Sequence, residues 1–144
     1  MIAIPIPRNK SKWSTISFVS TLYLCPILDL LLAHIPPQWQ AEIRLGLQEA
    51  LVNAAKHGNK LDPNKTIIVK FTNTDTEYCW VIIDQGKGFM PKSSCPSPSD
   101  HDLPPEESEN GRGLCILLQV FDRVNWNKEG TELTLSKQMH HKHH

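Results

Sequence analysis

Hydrophobic positions along this chain fall into strand-like and helical stretches whose order outlines the domain. Over residues 13–18 apolar and polar side chains alternate, with Thr15 and Ile16 suited to a pleated surface, which predicts an edge strand. Leu24, Ile27, Leu28, Leu31 and Leu32 then recur at helical spacing. They predict a helix capped by Ser20 or Thr21, with Pro26 near its first turn, running to about His34 and ended by Pro36-Pro37. A second helix is predicted over about residues 38–56, where Ile43, Leu47, Ala50, Leu51 and Ala54 trace one apolar stripe and Gly58 offers a left-handed cap. Residues 66–72 and 77–84 read as two strands joined by the polar turn Asn73-Thr74-Asp75, a predicted hairpin. Residues 89–110 are dominated by proline, serine and acidic side chains, with too few apolar groups for a core of their own, and predict a mobile loop. Helical spacing resumes over residues 113–120. Two further strands, 123–126 and 131–137, follow around a turn at Lys128-Glu129-Gly130.

Length and composition narrow what such a chain does. Its 144 residues suit one domain, burying roughly two-thirds of the unfolded surface. The division expected is an N-terminal extension over 1–12, a single domain over 13–137, and a histidine-rich tail over 138–144. Lysine plus arginine and aspartate plus glutamate each total 15, so no global field draws the protein to nucleic acid or to an anionic membrane. The apolar stretch 16–35 approaches membrane length but carries Pro26, Asp29 and His34, and a charge at mid-bilayer is costly, so a buried amphipathic helix is the better reading. The opening MIAIPIPRNK lacks the apolar core of a secretory signal. Cys25, Cys79, Cys95 and Cys115 are scattered, with no CxxC pair, and read as free thiols of a reducing cytoplasm.

Three groups of residues carry candidate chemistry. On the second helix Glu49, Asn53 and His57 are spaced i, i+4, i+8, which presents a carboxylate and an amide on adjacent turns of one flank. The strand ending in Asp84-Gln85-Gly86-Lys87-Gly88-Phe89 puts a carboxylate at the sheet edge, before two glycines that let backbone approach a ligand. Gly111-Arg112-Gly113 sits where the predicted loop meets a helix, and free N–H groups at a helix N-terminus receive phosphate oxygens. Each group alone has a bland reading: a solvated helix face, a turn after a strand, a flexible junction.

Their order is more specific. Glu49-x-x-x-Asn53-Ala54-x-x-His57-Gly58-Asn59, then Asp84-x-Gly86-x-Gly88-Phe89, a loop, Gly111-x-Gly113-Leu114 and Gly130-Thr131 together resemble the Bergerat ATP-binding family of gyrase, histidine kinases and mismatch-repair ATPases. Within it the chain looks most like the anti-sigma serine/threonine kinases, being short, with two helices before the first glycine box and no upstream phosphoacceptor domain. The resemblance implies an α+β fold, a two-layer α/β sandwich with helices on one face of a mixed, mostly antiparallel sheet. It implies ATP and Mg²⁺ as cofactors. By the same resemblance Asp84 is expected to accept the adenine amino group, Thr131 to lie near the base, and Asn53 to be the one side-chain ligand of Mg²⁺, which keeps waters and phosphate oxygens for the rest. Gly111 and Gly113 would wrap the phosphates, Gly86 and Gly88 would let backbone approach the nucleotide, and Glu49 would be the general base. The basic residue steadying the γ-phosphate stays open between Arg112, Lys87, His57 and Lys56.

The implied function is a cytoplasmic protein serine/threonine kinase that phosphorylates an anti-anti-sigma protein and sequesters a sigma factor, as a homodimer, with no direct nucleic-acid or membrane binding. The alternative is a module that uses ATP only to set its conformation while sequestering a partner. Glu49 favours the enzyme, since sequestration alone needs no carboxylate beside the γ-phosphate. A detached histidine-kinase domain is a third reading. It would need a partner to supply the acceptor histidine.

Overall fold

A computed structural model describes residues 12–88 and 105–139. Five strands and three α-helices run in the order β1 (Ser14–Val19), α1 (Cys25–Leu31), α2 (Pro37–Val52), β2 (Thr66–Asn73), β3 (Glu77–Ile83), α3 (Pro105–Val120), β4 (Arg123–Trp126) and β5 (Glu132–Gln138), with a π-helical turn, Asn53–Gly58, continuing α2. The sheet order is β1-β2-β3-β5-β4, and every described pair is antiparallel. The fold is thus α+β, as the sequence implies. Among the described residues no helix is long and apolar enough to cross a membrane.

Alternation explains why only one face of the sheet is covered. Along β3, Tyr78, Trp80 and Ile82 are buried while their neighbours are half-buried, and the same period selects Ile67 and Val69 on β2 and Leu133 and Leu135 on β5. Against this face α2 lays Ile43, Leu47, Ala50 and Leu51, and α1 adds Leu28 and Leu31, in one continuous core. Gly46 lets α3 close on α2, since a Cβ there would come within 2.5 Å of the Phe121 ring. Phe121 in turn meets Trp80 edge to face at 5.6 Å. Lys137 joins three elements: it pairs with Glu42 at 2.9 Å, donates to the Val120 carbonyl at 2.9 Å and lies over the Trp39 ring.

Several local expectations change. The first helix is shorter than predicted, starting after Leu24 with no side-chain cap, because Ser20 and Thr21 are used elsewhere: Ser20 accepts from Asn59 and Thr21 accepts from the Tyr23 amide. Its end is closed by Gln40, whose amide donates to the Ile35 carbonyl at 2.8 Å and the Leu32 carbonyl at 3.4 Å. The second helix does not stop in a left-handed Gly58; the chain turns left-handed at Lys60 and Leu61 instead. The loop expected to extend to Asn110 has already become helix at Pro105, while residues 89–104 and the histidine-rich tail lie outside the described residues. Cys25 and Cys79 are free thiols as read, whereas Cys115 is disulfide-bonded.

Asn59 holds the end of the π-helical turn to the sheet. It is wholly buried; its side-chain amide donates to Ser20 Oγ at 2.7 Å and the Thr66 carbonyl at 2.9 Å, and its Oδ1 accepts the Gln85 amide at 2.7 Å. Gln85 answers by accepting the Thr66 amide at 2.7 Å. Four segments therefore meet at one side chain. Asn59→Ala is expected to lower folding stability by about 3 kcal/mol, since it leaves several buried partners unsatisfied at once. Urea unfolding followed by circular dichroism measures this.

Candidate functional site

The candidate site lies where β3 ends, β5 begins and α2 passes into the π-helical turn. A cleft there is lined by Asn53, Asp84 and Thr131, with Ala50 and Ala54 from the helical layer and Ile82 and Leu133 from the sheet. Three residues singled out far apart in sequence thus share one surface. Antiparallel pairing of β3 with β5 makes this possible: the Asp84 amide donates to the Thr131 carbonyl at 3.0 Å, one step beyond the Ile83–Glu132 pair. Thr131 is further fixed by Asn127, whose Oδ1 accepts its amide at 2.9 Å. The two alanines leave the cleft open above the sheet.

Asp84 is half-buried, and burial pushes its carboxyl pKa up; the Gly86 amide, donating to Oδ1 at 2.8 Å, and the charge of Lys65 pull it partly back. The carboxylate rests on Gly58, where a Cβ would lie 2.5 Å from its oxygen. Gly86 faces the same residue, and a Cβ on it would overlap the Gly58 carbonyl oxygen. Gly88, at φ 104°, is left-handed, and a Cβ there would overlap the Glu129 carbonyl. The glycines of this segment therefore set its distance from the π-helical turn and from the β4–β5 turn.

Glu49 stands one turn before Asn53, and α3 brings Gly113 against both. A Cβ on Gly113 would lie 3.3 Å from Glu49 Oε2 and 3.8 Å from the Asn53 side chain. The helical segment and the second glycine group are thereby joined. Their backbone setting differs from expectation, however. Gly111, Arg112 and Gly113 lie inside α3, past its start at Pro105, so their amides are not at a helix N-terminus in this conformation. His57 also departs from the i, i+8 flank, because the π-helical turn begins at Asn53 and its wider i→i+5 winding rotates later residues away from the α-helical direction. It does not line the cleft.

Mg²⁺ fits what is present in one respect. Asn53 offers a neutral oxygen-bearing side chain in the cleft, and the missing Cβ of Gly113 keeps the space beside it and Glu49 unfilled. Among the described residues no group of three histidines, cysteines or acids forms an all-protein metal cage. Any metal here would rely on ligands brought by a nucleotide.

Sequence reasoning missed two contributors to the cleft, Trp126 and Glu132. Trp126 lies in the predicted strand 123–126 with nothing local to mark it, and only the β4–β5 pairing, Trp126 opposite Leu133, places it on the cleft with Asp84. Asn59 stands in the sequence only as the end of the His57-Gly58-Asn59 motif, and its role as a buried anchor is visible only in the fold.

The family model described as histidine kinase-like ATPase domain matches residues 29–137. Anti-sigma F factors of three Clostridium perfringens strains, SM101, ATCC 13124 and 13, are each 25% identical to this chain over 101 residues, covering 68% of it and 71% of their own length.

Proposed function

The chain belongs to the histidine kinase-like ATPase domain family, and on that premise we propose that it is an anti-sigma regulatory factor with ATP-dependent serine/threonine kinase activity. The observation that carries this reading is the cleft itself. It gathers Asp84, Thr131 and Asn53, and Gly113 connects it to Glu49. The likeness to anti-sigma F factors supports a sigma factor as the sequestered protein, and we take an anti-anti-sigma protein as phosphoacceptor and a cytoplasmic homodimer as the acting form.

In this reading residues 13–137 form the ATP-binding domain. Asp84 accepts a hydrogen bond from the adenine amino group, Thr131 borders the base, and Gly86 and Gly88 hold the strand end close beneath it. Asn53 is the side-chain ligand for Mg²⁺. Bound ATP and Mg²⁺ supply the transferable phosphoryl group and the neutralisation of its charge. Glu49 takes the proton from the attacking hydroxyl, and it is not itself a metal ligand. Gly111, Arg112 and Gly113 are proposed to contact the phosphates, which requires the first turns of α3 to unwind from the conformation described, and Arg112, Lys87, His57 and Lys56 are the candidates for the γ-phosphate.

The test is thermal unfolding with and without nucleotide. ATP with Mg²⁺ at a hundred-fold excess over Kd is expected to stabilise the wild type by about 2.7 kcal/mol. GTP is expected to do much less. Asp84→Asn is expected to weaken ATP binding by roughly ten- to a hundred-fold, the loss of one charge-assisted hydrogen bond. Equal responses of the wild type to ATP and GTP would overturn the role of Asp84.

The same substitution has an opposite effect on the empty protein. Folding raises the Asp84 pKa, so the folded state holds this proton more tightly than the unfolded chain does, and the ionised carboxylate costs stability at neutral pH. Asp84→Asn is therefore expected to raise the melting temperature of the nucleotide-free protein at pH 7. That advantage should shrink as pH falls through the raised folded pKa and vanish below about 4, the ordinary carboxylate value, where both states are protonated. An advantage that stays constant down to that pH would contradict the burial argument.

A further inference from the structure

At the end of the sheet opposite the nucleotide cleft, a second cavity opens between the C-terminal end of α1 and strands β1 to β3. Its apolar wall is Leu31, Ile35 and Phe71, and the stacked rings of Tyr78 and Trp80, 6.1 Å apart, close its floor. Tyr78 is 7% exposed and Trp80 2%. Among the described residues neither the Tyr78 hydroxyl nor the Trp80 indole N–H has a hydrogen-bond partner, yet no polar side-chain atom fully shut off from solvent goes unpaired. Both donors therefore keep some access to solvent, and both residues line the cavity.

The rim repeats this chemistry. Lys12 and His34, both exposed, border the opening, and the Lys12 backbone is pinned there by the Thr72 hydroxyl, which donates to its carbonyl at 2.8 Å. Ser14 and Asn73 add neutral polar groups, and among the described residues no acidic side chain lines the cavity. Burial raises the Tyr78 pKa, which keeps its phenol a donor at neutral pH. Deep donors, an apolar wall and a rim of positive potential with no carboxylate select an acceptor-bearing, negatively charged ligand with a compact apolar body.

We propose that this cavity is a second ligand site that takes a small organic carboxylate with a ring-sized apolar body. The Tyr78 hydroxyl and Trp80 indole N–H receive the carboxylate, Lys12 supplies the compensating charge with His34 as a further polar group at the rim, and Leu31, Ile35 and Phe71 cover the ring. The site is separate from the nucleotide cleft and shares no lining residue with it.

Two-dimensional ¹H–¹⁵N NMR of the full chain, titrated with sodium benzoate and separately with its neutral analogue benzyl alcohol, tests this. The Trp80 indole cross-peak, assigned by its loss in Trp80→Phe, is expected to shift saturably with benzoate in the millimolar range and to respond at least several-fold more weakly to benzyl alcohol. Tyr78→Phe keeps the ring packing and is expected to weaken benzoate by about five-fold, the loss of one hydrogen bond. Lys12→Ala with His34→Ala, both at exposed positions, is expected to abolish the preference for benzoate over benzyl alcohol. The proposal is overturned if benzoate leaves the Trp80 peak unmoved at millimolar concentration, if benzyl alcohol binds equally well, if shifts fall only around Asp84 and Thr131, or if the rim variant keeps the preference.

Discussion

Glu49→Ala is expected to leave ATP affinity within a few-fold of wild type while slowing phosphotransfer by roughly 10²–10⁴, the range for losing a general base. The expectation rests on where the carboxylate stands. It is one turn from Asn53 and beside Gly113, yet outside the cleft that holds Asn53, Asp84 and Thr131. A group so placed can take a proton from an attacking hydroxyl without holding the base or the metal. Asn53→Ala is expected to behave differently, impairing nucleotide binding and transfer together, because a metal ligand stabilises phosphate charge in the ground state as well as the transition state. Radiolabelled ATP and an anti-anti-sigma protein as acceptor, scored for phosphoserine and phosphothreonine beside a nucleotide titration of each variant, separate the two roles. Undiminished transfer by Glu49→Ala would remove the base assignment. Partner binding by a wild type that never transfers phosphate would leave the sequestering module as the function.

Gly86→Ala is expected to cost on the order of 3 kcal/mol of stability, the upper end for overpacking, and to weaken ATP binding by ten-fold or more. The added methyl would meet the Gly58 carbonyl, which belongs to the backbone and cannot rotate aside as a side chain can. Relief requires the strand end to move from the π-helical turn, carrying Asp84 with it. Gly113→Ala is the informative contrast. Its methyl would meet the far ends of the Glu49 and Asn53 side chains at 3.3 and 3.8 Å, not backbone, and alanine favours a helix over glycine by about 1 kcal/mol, so stability is expected to hold or rise. Urea unfolding and ATP titration of both variants measure the difference. Equal losses in the two would mean that glycine is needed at these positions for backbone freedom and not for close approach.

The strands and the apolar stripes were legible because a two-residue or a 3.6-residue period is written directly in the order of side chains. Residues 66–72 and 123–126 became β2 and β4 with little change, and Ile43, Leu47, Ala50 and Leu51 are buried on α2 as their spacing requires. Family membership was legible for a related reason: Glu49, Asn53, Asp84, Gly86 and Gly113 keep their order and approximate spacing along the chain whatever the loops between them do.

What no local window contains is the outcome of competition between segments. Asn59 is a hub because β1, β2 and Gln85 all leave polar groups at one buried point; Ser20 and Thr21 fail to cap α1 because other partners claim them. Gly58 is not a helix stop but the surface on which the Asp84 carboxylate and Gly86 rest. The chain by itself determined the fold class, the apolar face of each element and which residues were candidates for chemistry, since those follow from side-chain type and period. Only the tertiary structure decided that Trp126 lines the Asp84 cleft, that Gly111-Arg112-Gly113 lies within α3, and that Tyr78 and Trp80 line a second cavity. Those outcomes depend on which distant groups arrive first at a shared volume, and packing at close to solid density admits one answer there.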